Sequence, residues 1–171
     1  ADLRRELIPL AAGVVLEIGI GSGHNLEYYD PGRVRRVIGV EPSPELLTRA
    51  ERRARKRPLE VELIGGRGER LPLVDAAVDA VVLTYTLCSV EDVGRTLAEA
   101  RRVLKPDGFL LFCEHGLAPD RRVERWQSRL TPIWSLVSGG CHLDRDISRE
   151  LAGSAFREKW LTASYVGDWK P

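Results

Sequence analysis

Short apolar runs alternate along the chain with segments whose apolar residues recur every three or four positions. Val14 to Ile18 is the first run, closed by glycines, as expected of a strand buried on both faces of a parallel sheet. Val34 to Val40 is the second, and it ends in Glu41-Pro42-Ser43-Pro44, where proline stops a strand and opens a helix. That helix, from Pro44 to about Arg57, places Leu46, Leu47, Ala50 and Ala54 on one face. Leu59 to Ile64 and Val78 to Leu83 predict the third and fourth strands. Val93, Leu97, Ala100 and Leu104 recur at helical spacing, Lys105-Pro106-Asp107-Gly108 ends that helix, and Phe109 to Cys113 supplies a fifth strand. A sixth is expected from Lys159 to Val166.

Strands alternating with helices predict an α/β fold: a Rossmann-like, mainly parallel sheet with helices on both faces. In such sheets ligands bind at the carboxyl ends of the strands, near the point where strand order reverses. The 171 residues, 43% of them hydrophobic, fit a single domain over residues 1–171. Val123, Trp126, Leu130, Trp134 and Val137 follow helical spacing with an interruption at Pro132, so residues 116–153 carry a large apolar face able to cover the strand ends as a substrate lid.

Charge and cysteine content narrow the function classes. Twenty-six basic against 25 acidic residues leave a net charge of +1, which offers no overall attraction to nucleic acid or an anionic membrane. Arg49, Arg52, Arg53 and Lys56 have the spacing of a solvated helix back. No apolar run approaches the roughly 18 residues of a spanning helix, so no integral membrane segment is expected. Cys88, Cys113 and Cys141 form neither a CxxC pair nor a zinc-type spacing, so a cytoplasmic setting and no metal are the expectation. The chain contains no methionine, even at position 1, as expected of a sequence that lacks its natural start or omits modified methionines.

The candidate chemistry starts with Glu17-Ile18-Gly19-Ile20-Gly21-Ser22-Gly23. Its glycines permit a tight strand-to-helix turn and close approach of a ligand to the backbone. A dinucleotide fingerprint needs G-x-G-x-x-G, but His24 stands where the third glycine should be. His24 reads as the start of the helix after the loop. Glu17 would repel a pyrophosphate and welcome a cationic amino acid group. Glu41, at the end of the second strand, can accept hydrogen bonds from both hydroxyls of a ribose.

VLEIGIGSG, VIGVEPSPELL, GERLPLVDAAVDAVV and RVLKPDGFLLF, in that order, resemble the successive motifs of class I S-adenosylmethionine-dependent methyltransferases, over about Val14 to Phe112. The resemblance implies S-adenosyl-L-methionine as cofactor and S-adenosyl-L-homocysteine as product. It places Glu17, Gly19, Ile20, Gly21, Ser22 and Gly23 around the methionine part, Glu41 at the ribose, and Pro42 and Ser43 by the adenine. Gly68, Glu69 and the backbone of Thr84 would complete the cofactor site. The family often has an aspartate where this chain has Arg67, which cannot accept a hydrogen bond from the adenine amino group.

LTYTLCSV, CEHG and RWQSRLTPIWSLVSGGCHLDRD resemble the alkyl thiol methyltransferase branch and its bacterial relatives. Human-type members carry an apolar N-terminal segment not found in these residues, so membrane attachment is not carried over. The family's fold usually has a seventh strand after the sixth, and the chain stops short of it. The resemblance implies methyl transfer to a small apolar acceptor at S, O or N, with no nucleic-acid partner. His115 is the candidate general base, and Tyr85, Trp126, Trp134 and His142 are candidate pocket residues. The alternatives are a nicotinamide-dependent oxidoreductase and a non-catalytic module that binds S-adenosylmethionine.

Overall fold

A computed structural model describes residues 3–157. Five strands form one parallel sheet: β1 (Gly13–Ile18), β2 (Val34–Glu41), β3 (Val61–Gly65), β4 (Val78–Thr84) and β5 (Leu104–Cys113). Their order is β3-β2-β1-β4-β5, so the chain reverses direction across the sheet between β1 and β4. This is the switch point where the expected site should lie. The helices are α1 (Leu3–Leu7), α2 (Pro44–Ala54), α3 (Val93–Val103), α4 (Arg121–Val137) and α5 (Ile147–Ala152), with 3-10 turns at Ile8–Leu10 and His24–Glu27.

The two faces of the sheet are separate apolar layers, which is why its strands read as continuous hydrophobic runs rather than alternating ones. Leu16, Ile18, Val81 and Leu83 pack with Leu97, Ala100 and Val103 of α3 and Ile147 of α5. Val15, Val37, Ala80 and Val82 pack on the other face with Leu7, Ile8, Leu26 and Tyr29, joined at their margin by Leu47 and Ala54 of α2. Helices thus cover both faces, as the alternation predicts. Local chemistry sets their starts: Ser43, Asp92, Asp120 and Asp146 each accept a hydrogen bond from a backbone N–H in the first turn of α2, α3, α4 and α5.

Two expectations need adjustment. Pro132 does not interrupt α4, which runs through it. It is exposed there, so water can satisfy the carbonyl left without an N–H partner. β5 begins at Leu104 rather than Phe109, and Lys105–Gly108 bulges out of its register with β4, in which Val78 pairs with Leu104 and Ala80 with Phe109. The sixth strand expected at Lys159 to Val166 lies outside the described residues.

At the amino edge of the sheet, Asp79 joins three neighbours. Its carboxylate accepts from the backbone N–H of Val14 at 2.7 Å, Lys105 Nζ at 2.7 Å and Arg35 Nη2 at 3.0 Å. The Lys105 ammonium, chiefly, holds its carboxyl below the usual aspartate range. Asp79→Ala should cost about 2 kcal/mol in urea denaturation at pH 7, the scale of a charge-assisted bond with an orphaned N–H. Because this carboxyl is held low, its contribution is present above the ordinary aspartate pKa and lost as pH falls through the depressed one. The gap between wild type and variant should therefore close in acid, and a gap independent of pH would contradict this account.

Candidate cofactor and acceptor site

Glu17 lies near the carboxyl end of β1, on the face shared with Val15, and only 1% of it is exposed. Tyr29 donates its hydroxyl to one carboxylate oxygen at 2.7 Å, and Asn25 Nδ2 donates to the other at 2.9 Å. The same Asn25 amide donates to Thr84 Oγ1 at 2.9 Å, which ties β1, the turn after the glycine loop and the end of β4 into one buried network. Burial lifts the Glu17 carboxyl to about 7 despite these bonds, and Tyr29, desolvated and beside this acid, remains a phenol. Glu17 is therefore not an open carboxylate facing a ligand, as the sequence suggested, but an acid sealed beneath the loop. Asn25 and Tyr29 were absent from the sequence candidates. No local spacing marked them, because Asn25 lies in the 3-10 turn and Tyr29 beyond its end, and only the fold brings both to Glu17.

The three loop glycines do different work. All have positive φ. A Cβ at Gly19 would come within 2.5 Å of Thr86 Oγ1, and one at Gly23 within 2.9 Å of Leu26 and 3.1 Å of the Ala50 backbone. Those two permit the protein's own packing. A Cβ at Gly21 would meet nothing closer than the Gly19 carbonyl oxygen at 3.9 Å, so its backbone faces open space. Ile20 turns its side chain into the core, and the Ser22 carbonyl accepts from the Arg53 guanidinium.

Glu41, 7% exposed, ends β2 beside this open backbone. Its two oxygens accept from Gly21 N at 3.1 Å and Ser43 N at 3.0 Å, so the carboxylate fixes the loop against the start of α2. Pro42 is exposed next to it. Gly68 and Glu69 behave otherwise. Gly68 is buried, and a Cβ there would touch Ile18 and Thr96, which makes it a core contact. Glu69 Oε1 accepts from the backbone of Glu91 at 2.9 Å, leading into α3. Arg67, where an aspartate was expected, pairs with Glu91.

A second group of candidate residues gathers where β4 and β5 finish. Tyr85, just after β4, has φ 55°, an uncommon conformation for a bulky residue, and its N–H donates to the Cys113 carbonyl at 2.8 Å. Its ring lies 4.6 Å from that of His115 and beneath the Arg4 guanidinium. Partial burial, then the Arg4 charge, lowers the His115 pKa, so this imidazole is neutral at pH 7. Glu114, which the sequence reading passed over, accepts from the N–H groups of Thr86 at 2.8 Å and Cys88 at 3.3 Å and so shapes the loop after β4. The His142 N–H donates to the Cys88 carbonyl at 2.7 Å, bringing the segment after α4 back to this loop.

Tyr85, His115 and the backbone of His142 thus converge. Trp126 and Trp134 do not: they are 62% and 46% exposed, with Leu130, Ile133, Leu136 and Val137 exposed along the same helix. The apolar stripe of α4 covers neither the strand ends nor the core. Helical spacing identifies a face but not what it meets, and here α4 stands off the sheet. Among the described residues no helix is long and apolar enough to cross a membrane.

The network makes a pH prediction for the ligand-free protein. A carboxyl lifted from 4.5 to about 7 favours the folded state most below the unfolded pKa, and that advantage is lost as pH rises through the folded value. Between pH 5 and 8 the wild type should lose about 2.5 kcal/mol relative to Glu17→Gln, measured by urea denaturation. Parallel pH profiles for the two proteins would show that Glu17 is ionised throughout.

Comparison with known proteins bears on the same residues. Residues 16–112 match the family described as a methyltransferase domain. The thiol S-methyltransferase TMT1B of Rattus norvegicus is 37% identical over 163 residues, covering 92% of this chain and 63% of that protein. The human thiol S-methyltransferase TMT1A is 37% identical over 148 residues, covering 83% of this chain and 59% of its own length. The chain therefore spans under two thirds of these curated relatives. The crystal structure of the YcgJ protein from Bacillus subtilis superposes with a TM-score of 0.72 at 28% identity, covering 88% of this chain and 63% of that one. By the match over residues 16–112 and the likeness to these relatives, the chain belongs to the methyltransferase domain family, of the class I, S-adenosylmethionine-dependent type.

Proposed function

We propose that this chain transfers the methyl group of S-adenosylmethionine to the sulfur of a small apolar thiol. The observation that carries the cofactor half is the uncovered backbone of Gly21 beside Glu41 at the reversal of strand order. That arrangement fits the cofactor's donors. Glu41 has two acceptor oxygens for ribose hydroxyls, and Asn25 Oδ1 is a buried acceptor without a protein partner, suited to an ammonium. A positive charge brought close to Glu17 would favour its ionised form. Ser43 and Pro42 flank the adenine end in this reading, and Thr84 marks the side from which the methyl is taken. When bound, S-adenosylmethionine supplies a methyl carbon on a sulfonium whose sulfur leaves as a neutral thioether.

The acceptor half rests on the thiol S-methyltransferases among the relatives and on the end of β5. In-line displacement with a good leaving group requires mainly positioning and exclusion of water. Tyr85 supplies an apolar ring and His115 an uncharged lone pair. A thiol acceptor needs such a lone pair nearby, either to take its proton or to hold a cation that displaces that proton.

Isothermal calorimetry should show S-adenosylhomocysteine binding and no response to NADH. Tight NADH binding with no response to the homocysteine compound would favour an oxidoreductase and reject this proposal. Gly21→Ala should weaken S-adenosylhomocysteine binding at least tenfold while costing only about 1 kcal/mol of stability for its positive φ. In a methyl-release assay over alkyl thiols, phenols and amines, thiols are expected to turn over fastest. Release with phenols or amines alone would move the acceptor atom away from sulfur.

A further inference from the structure

Beyond the cofactor site, the fold gathers three residues that are distant in sequence and whose chemistry fits neither the core nor the loop network. Cys88 follows β4, His115 follows β5, and Cys141 lies in the turn after α4. One ligand atom from each lies within 4.8 Å of the other two, and Cys141 Sγ is 3.8 Å from His115 Nδ1. Both cysteines are free thiols and buried, whereas His115 is exposed. We propose that Cys88, His115 and Cys141 hold a thiophilic divalent cation of the zinc type, with its fourth position open to the thiol acceptor. This rests on the thiol methyl-transfer reading above and assigns the means of activating the acceptor.

The donor set decides the class of ion. Two thiolates and an imidazole favour zinc over the oxygen-seeking calcium and magnesium. Zinc–sulfur and zinc–nitrogen bonds of about 2.3 and 2.0 Å at tetrahedral angles separate the ligand atoms by roughly 3.5–3.8 Å. The 3.8 Å contact already meets that, and the 4.8 Å upper bound leaves no more than about 1.3 Å to close.

Hydrogen bonds outside the cluster hold the backbone of Cys88 and residues close in sequence to Cys141 and His115. His142 N–H reaches the Cys88 carbonyl at 2.7 Å and Arg145 Nη1 the Leu87 carbonyl at 2.6 Å, while Leu117 N–H reaches the Arg145 carbonyl at 2.9 Å. The Glu114 carboxylate accepts from the Cys88 N–H on the remaining side. Supporting contacts of this kind are what a metal site needs in order to keep its ligands in place.

Three protein ligands are the pattern of a zinc site that binds substrate rather than one that only braces a fold. Two thiolates neutralise the ion, and the acceptor thiol loses its proton to water on taking the fourth position. Its sulfur then forms a bond to the methyl carbon as the carbon–sulfonium bond breaks, with that electron pair leaving on the cofactor's sulfur. The methylated product is a neutral thioether, a poor ligand, and departs.

Cobalt(II) added to the reduced, chelator-treated full chain tests this without relying on activity. One equivalent should give a sulfur-to-cobalt charge-transfer band and the visible bands of tetrahedral coordination, both removed by zinc. Cys88→Ser and Cys141→Ser should each lower affinity at least a hundredfold, and Cys113→Ser should retain one equivalent. An alkyl thiol should shift the visible bands. No charge-transfer band, a band that survives both serine variants, or loss of two titratable thiols to a disulfide without metal uptake would each overturn the site. Metal bound with bands unmoved by thiol would overturn its acceptor role. If the metal-free chain binds S-adenosylhomocysteine and methylates thiols at full rate, this inference falls and the methyltransferase reading stands. If the metal-loaded chain binds cobalt as described but not S-adenosylhomocysteine, the methyltransferase reading is the one that fails.

Discussion

A carboxyl group that cannot reach water holds the glycine-loop end of the sheet together. Glu17 is in the central strand, takes a phenol and an amide as donors, and through Asn25 is tied to Thr84 on the neighbouring strand. A buried acid costs the fold unless its oxygens are bonded, so the network constrains Asn25, Tyr29 and Thr84 together. The glycine loop then runs above a fixed floor. Gly19 and Gly23 let that loop pack on Thr86, Leu26 and Ala50, and Gly21 alone leaves backbone uncovered. Glu41 joins this backbone to α2 with the same carboxylate that two ribose hydroxyls would require.

The region where β4 and β5 finish is built differently, from loops rather than strand interiors. Glu114 and the His142 N–H hold the loop after β4 from opposite sides, and Tyr85 accepts an unfavourable backbone conformation within it. Strain held by surrounding hydrogen bonds suits a site that must keep its groups in place before substrate arrives. The proximity of Cys88, His115 and Cys141 follows from the same bonds. Helix α4, which leads the chain from β5 to Cys141, keeps its apolar stripe exposed, so its contribution to the site is to deliver the segment that follows it.

Much of the fold was legible in the sequence because burial on both faces of a parallel sheet leaves continuous apolar runs. The five described strands fall where those runs lie, and α2 and α3 follow their helical spacing. The glycine loop and Glu41 were legible for a similar reason: a tight turn at a strand end demands particular residues at particular positions. Helical spacing at Trp126 and Trp134 predicted a face correctly and its environment incorrectly, since periodicity carries no information about what lies opposite.

The sequence by itself determined the α/β architecture, the glycine loop and the family, because each depends on residues close together along the chain. Only the tertiary structure decided that Glu17 is sealed by Asn25 and Tyr29, that Gly68 and Glu69 serve packing and the start of α3, and that two cysteines and a histidine share one site. Those outcomes depend on which strands become neighbours, and a reversal of strand order between β1 and β4 brings together residues that no local spacing relates.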